Sequence, residues 1–157
     1  IATLNILEIF DKNIKYNRFL QEIELIKNEF SNLILQKEEK IKKLEIEIEN
    51  NQLILNDKEL NKKIYNLNKE YEDLEKYINK YNYYIEYNIN FNKTLLLNAI
   101  TECVKEISIQ KNIDLVLNEN NYFISNENLD ITDETLIKLK SKIIDFKILK
   151  EEKVFEN

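Results

Sequence analysis

Apolar positions along most of this chain recur at intervals of three and four. From Tyr16 the stripe reads Tyr16, Phe19, Ile23, Ile26, Phe30 and Leu33. It then meets Lys37 and continues through Ile41, Leu44 and Ile48. The step from Leu33 through Lys37 to Ile41 is four plus four, a stutter that locally unwinds a supercoil. A second stripe runs through Leu60, Ile64, Leu67, Tyr71, Leu74, Ile78, Tyr81 and Ile85. Both are heptad seams, and sustained heptads predict coiled coil. Between them lies "ENNQLILNDKEL", residues 49–60, where Asn50, Asn51, Asn56 and Asp57 are turn and cap formers. Asn56 or Asp57 is suited to cap a helix starting at Lys58. Folding the chain back here pairs Ile48 with Leu60, Leu44 with Ile64, Ile41 with Leu67, Phe30 with Ile78 and Ile23 with Ile85. The seams are near mirror images about residue 54, which predicts an antiparallel helical hairpin. Arms of about 40 residues would each span roughly 60 Å at 1.5 Å per residue.

The pattern changes at both ends. Ile89, Leu96, Ala99, Cys103 and Ile107 carry the second helix on to about Lys111, after a slip in register near Asn88. "IATLNI" at the start is short, apolar and rich in β formers. In "IDLVLNENNYFIS", residues 113–125, the apolar residues run densely, break at 118–121 and resume. That pattern predicts a β-hairpin, with Ile113, Leu115 and Leu117 on one strand face and Asp114, Val116 and Asn118 on the other. Asparagine tolerates the positive φ that glycine usually supplies at such a turn. "LDITDETLIKLKSKI" reads as a closing helix, with Thr132 as N-cap and Thr135 at the capping-box position where Glu is usual, so only half of that box is present. The predicted order is β, long α, long α, β, β, α: a mostly α chain with a small β body. Residues 1–14 and 96–144 would form that body, 15–95 an arm with its tip near 50–57, and 145–157 a tail. A sheet so small is marginal alone, and its free edges call for cover by other copies.

Composition narrows the chemistry. The 157 residues include no histidine, glycine, proline, methionine or tryptophan. Without glycine there is no phosphate-cradling loop, and without histidine no histidine-dependent triad or zinc site. The single cysteine, Cys103, cannot form an internal disulfide, and its seam position predicts a plain buried thiol. Carboxylate pairs such as Glu38–Glu39 and Glu72–Asp73 fall on solvated helix faces, with no enclosed site to shift a pKa. No catalytic residue, metal or cofactor is therefore expected. The net charge of −6 argues against nucleic acid, whose phosphates need a basic footprint. No apolar run approaches the ~18 residues of a membrane span. The apolar content of 43% exceeds that of simple disorder. Many of the 24 asparagines read as coding drift. A chain that starts at Ile1 fits a processed N-terminus, with a signal peptide presumed removed.

At its two ends the chain resembles the Skp/OmpH-like family of periplasmic chaperones. "IATLNILEIF" looks like the family's first strand and the start of its first helix. Residues 100–140, with the "IDLVL" strand and the "DIT" cap, look like its last long-helix segment, hairpin and closing helix. Between them, residues 15–95 match in length and heptad pattern, and 145–157 fall beyond the resemblance. The family implies a homotrimer whose strands form a central body, with helical arms around a cavity. That cavity holds unfolded outer-membrane β-barrel proteins without ATP. On this reading Ala2, Leu4, Ile6, Ile113, Leu115, Leu117 and Phe123 form the oligomerisation base. The chain departs from the family in being acidic. "YYIEYNINFNK", 83–93, carries one lysine and no arginine where the family has a basic lipopolysaccharide patch, so lipopolysaccharide binding is not carried over.

One stretch suggests client contact. "KYINKYNYYIEYNINF", 76–91, sets Tyr81 on the seam with Tyr77 beside it. Tyr84 and Phe91 fall at one edge of the helix, and Tyr83 and Tyr87 point well away from the seam. Tyrosine offers contact area and a hydrogen bond at low entropic cost, which suits unfolded chains. Tyr83, Tyr84, Tyr87 and Phe91 are the candidate client-binding residues. Packing on a neighbouring arm or on the first helix is the other reading. For the whole chain, the alternative is a coiled-coil scaffold that binds a folded envelope partner.

Overall fold

The computed structural model describes residues 1–156 and opens with a strand, β1, Ala2–Leu4. Asn5 ends it and caps helix α1, Ile6–Lys12, by accepting a hydrogen bond from the Glu8 N–H at 2.8 Å. Asn13 then leaves helical geometry and caps helix α2, Ile14–Asn51, by accepting from the Tyr16 N–H. Residues 52–56 turn the chain, with the Ile54 and Leu55 N–H groups both donating to the Asn51 carbonyl. Asn56 caps helix α3, Asp57–Lys111, through its side-chain oxygen and the Glu59 N–H at 2.9 Å. In a chain without glycine or proline, asparagine is the residue that starts and stops these helices.

Two compact units result. One holds Ile1–Glu22 with the chain from Asn88 onward, and the other is Ile23–Tyr87. In the second unit α2 and α3 run antiparallel. Ion pairs Lys40–Glu70 and Lys63–Glu47 each balance about residue 55, close to the centre read from the seams. Such largely exposed pairs contribute about 0.2–1 kcal/mol each. Burial of Ile23, Ile41 and Ile85 outweighs them, at roughly 1.5–3 kcal/mol per side chain. Phe30 sits among Tyr77, Tyr81 and Tyr84, with its ring centroid 4.3 Å from that of Tyr81. Lys37, the polar residue at the stutter, lies 5.1 Å over the Tyr77 ring. The seam accepts a charge there because the aromatic face attracts the ammonium.

In the first unit β1 pairs with β2, Val116–Asn118. The pairing is parallel, with Ala2 opposite Val116, Thr3 opposite Leu117 and Leu4 opposite Asn118. A parallel pair needs a crossover connection. Here that connection is α1, α2 and α3 together. The predicted hairpin does not form. A single 3₁₀ turn, Glu119–Asn121, follows β2, and residues 122–125 are neither helix nor strand. A tight hairpin turn needs positive φ, and none of residues 118–121 adopts it; they wind into the 3₁₀ turn instead and carry the chain away from β2. Phe123 and Ile124, with no strand pairing, are 97% and 80% exposed. On the far edge of β1, Thr3 bridges Asp130 and its carbonyl accepts from the Ile131 N–H. Leu115 precedes the strand proper and contributes its carbonyl to the Ala2 N–H at 2.8 Å.

Helix α4, Thr132–Leu139, starts differently from expectation as well. Its N-cap position is Ile131, which makes no side-chain cap bond, and the Asp130 carboxylate just before it accepts from the Thr132 N–H at 2.8 Å. The Thr132 hydroxyl accepts from the Asn5 N–H instead, tying α4 to the end of β1. Thr135 is buried and its hydroxyl returns to the Ile131 carbonyl, so it closes no capping box. The predicted continuation of the second seam does become core: Leu96, Ala99, Cys103 and Ile107 are buried, with Ile9, Ile131 and Leu139. A short last helix, α5, spans Glu151–Phe155 and buries Val154.

Candidate functional site

Three features of the chain offer chemistry for recognition. The first is an open, largely apolar groove of about 590 Å³ in the first unit. Ile100 and Val104 of α3 form one wall, and Leu4, Ile6, Ile113 and Leu115 are among the residues opposite. Four of the seven proposed base residues thus meet at one surface. Ala2 is buried beneath the sheet surface, Leu117 is half-buried outside the groove lining, and Phe123 stands in solvent.

The second feature is the tyrosine stretch. Tyr83 is 50% exposed, and its ring centroid lies 6.1 Å from that of half-buried Tyr87. Those two form a surface pair on the second unit. Tyr84 does not join them: it is 7% exposed and faces the Phe30 cluster, because it lies one residue off the surface face, on the seam side. Phe91 belongs to the first unit, where it lines a cavity of about 300 Å³ with Ile143, Ile144 and Lys147. The four candidate client residues therefore divide into an exposed pair, a core residue and a residue beside the C-terminal segment.

The third feature escaped the sequence reading. Asn88 and Asn92, four apart on α3, are fully buried. Asn92 pairs with the main chain of Lys147 at both ends of its amide: its Nδ2 donates to the Lys147 carbonyl at 2.8 Å, and its Oδ1 accepts from the Lys147 N–H at 2.9 Å. The Asn88 Oδ1 accepts from the Leu149 N–H at 2.7 Å. Two spacings coincide here. Four helical residues advance ~6.0 Å, and two residues of extended chain advance about 6.6 Å. Asparagines at i and i+4 on a helix therefore meet main-chain groups at j and j+2 of a strand. Residues 143–148 alternate between exposed and half-buried, as an extended segment does. Phe146 packs its ring 5.6 Å from that of Tyr16, in contact with the Phe10 and Phe19 cluster. The register slip near Asn88 was visible, but α3 carries other asparagines such as Asn82, Asn90 and Asn98, so spacing alone did not single out this pair.

Electrostatics are local. The Glu106 carboxyl is held below the usual glutamate range by hydrogen bonds from Lys142 and then Lys138. Burial pushes the Cys103 thiol up, away from the reactive thiolate. Among the described residues, no helix is long and apolar enough to cross a membrane, and no cluster of three or more Cys, Asp or Glu side chains is arranged to hold a metal ion.

A solved structure from Caulobacter crescentus, a candidate outer membrane chaperone described as OmpH-like, superposes with a TM-score of 0.74. The match covers 96% of this chain and 91% of the other. The chain has the Skp/OmpH-like fold. Identity over the match is 9%, so heptad seams and strand pairing carry the Skp/OmpH-like architecture with few shared residues. No protein-family model matches the sequence, and no curated protein matches it.

Proposed function

We propose that this chain is an ATP-independent holdase of the envelope, which binds unfolded outer-membrane β-barrel proteins and prevents their aggregation. The observation that carries this reading is the OmpH-like fold across 96% of the chain. The open apolar groove supports assembly of copies through the base, as a homotrimer, since Leu4, Ile6, Ile113 and Leu115 meet there. The Tyr83–Tyr87 pair is the proposed client contact on the arm. A periplasmic location follows from the clients.

The test is dilution of a urea-unfolded outer-membrane β-barrel, with and without this protein and with no nucleotide. A slight excess of the oligomer keeps the barrel soluble. Replacing both Tyr83 and Tyr87 by Ser weakens that protection several-fold while the melting curve stays in place. If a folded, oligomeric protein leaves aggregation unchanged, the holdase reading fails and a scaffold for a folded partner takes its place.

A further inference from the structure

The Asn88–Asn92 pairing with the C-terminal segment is a recognition device that a simple staple does not require. Hydrogen bonds from the two asparagine side chains reach the main chain of this segment: the N–H and carbonyl of Lys147 and the N–H of Leu149. Main-chain recognition is indifferent to sequence, and any extended polypeptide presents the same groups at the same two-residue repeat. The segment that sits there is shallow. None of residues 143–150 is buried, and Ile143, Asp145 and Lys147 face solvent. Cavities of about 300 Å³ and about 250 Å³ flank it, lined in part by Phe91, Leu95, Phe19 and Arg18, with room for side chains other than those present. With this segment in place both amides are fully buried, and Asn92 Nδ2 also donates to the Asn88 carbonyl at 2.8 Å; buried amides of this kind need such partners.

We infer that the Asn88–Asn92 face of α3 is a docking site for the main chain of an extended, unfolded polypeptide, and that residues 145–149 occupy it as a displaceable internal ligand. The inference rests on the holdase reading and adds a place where a client strand is held. Binding then exchanges one strand for another at conserved hydrogen-bond number, which sets a threshold that short or folded partners do not cross.

Hydrogen exchange on the full chain tests it, with a urea-unfolded outer-membrane β-barrel added by dilution. The Lys147 and Leu149 amides are expected to lose protection at least about tenfold when client is bound, as their acceptors pass to the client. If client is held soluble while both amides stay protected, the docking site falls and the holdase reading stands. If no client is held, both fall. A second measurement spares the asparagines. Lys147→Pro with Leu149→Pro removes the two N–H donors of the internal ligand and leaves the site intact. Client affinity should rise about tenfold, as expected for two hydrogen bonds of ordinary net strength. Adding Asn92→Leu should cancel the gain. Unchanged affinity in the proline variant would overturn the proposal.

Discussion

Asn112 has a φ of 52°, the one positive value among the described residues. It ends α3, and the Ile113 N–H reaches back to the Ser108 carbonyl at 2.9 Å, the six-to-one bond of a Schellman cap. Glycine usually fills that position, and asparagine accepts it at lower cost than other side chains. Asn112→Ala should lower stability by about 1 kcal/mol, and Asn112→Gly should not, as read from urea midpoints. The same residue type caps α1, α2 and α3 through Asn5, Asn13 and Asn56, and fastens the C-terminal segment through Asn88 and Asn92. A reading of the asparagines as drift misses these, since composition alone does not separate a capping residue from a neutral one. The helix breaks at 50–57 were legible because cap formers interrupt a heptad there. Asn88 and Asn92 were not, because their partners lie 55 and 61 residues away in sequence.

At the scale of elements, α4 is held along α3 by a charged clamp. Lys142 and Lys138 both reach Glu106, and Lys142 also reaches Glu102. Glu106 is depressed below its ordinary value of 4.5 by Lys142 first and Lys138 next. Its folded pKa thus lies below its unfolded one. The clamp's contribution is present above about pH 4.5 and is lost as pH falls through the depressed value. Lys142 is raised by Glu106, so on its side the contribution holds below 10.5 and fades above its raised value. Protection factors across residues 138–142, corrected for the intrinsic exchange rate at each pH, should fall on acidification below that carboxylate range, and Glu106→Gln should remove that fall. Element reading from sequence succeeded where one period ran long, as in α2 and α3. It failed at residues 122–125, where β formers follow a 3₁₀ turn that never takes the positive φ a tight hairpin needs.

For the whole molecule, the proposed assembly through the groove gives a direct prediction. Leu115 is 47% exposed at the groove. Leu115→Asp should place a carboxylate in the proposed joining surface, at a desolvation cost of several kcal/mol per copy. Sedimentation should then show monomers in place of trimers, with helix content by circular dichroism unchanged. A trimer that persists in this variant would move the joining surface elsewhere on the body. The fold itself needed few particular residues, as 9% identity with an OmpH-like structure indicates. Periodicity and cap placement tolerate wide substitution, whereas a groove or a paired amide does not.

The sequence by itself determined the long helices, their antiparallel pairing and the turn between them. These follow from spacing and capping, which act within a few residues. It also determined that Cys103 would be buried, because the seam position fixes that side. Tertiary structure alone decided the parallel pairing of β1 with β2, the open coil at 122–125 and the docking of residues 143–150. Each of these depends on which distant segment reaches an edge or a side-chain amide first. That competition is settled by packing in space, and no local pattern records it.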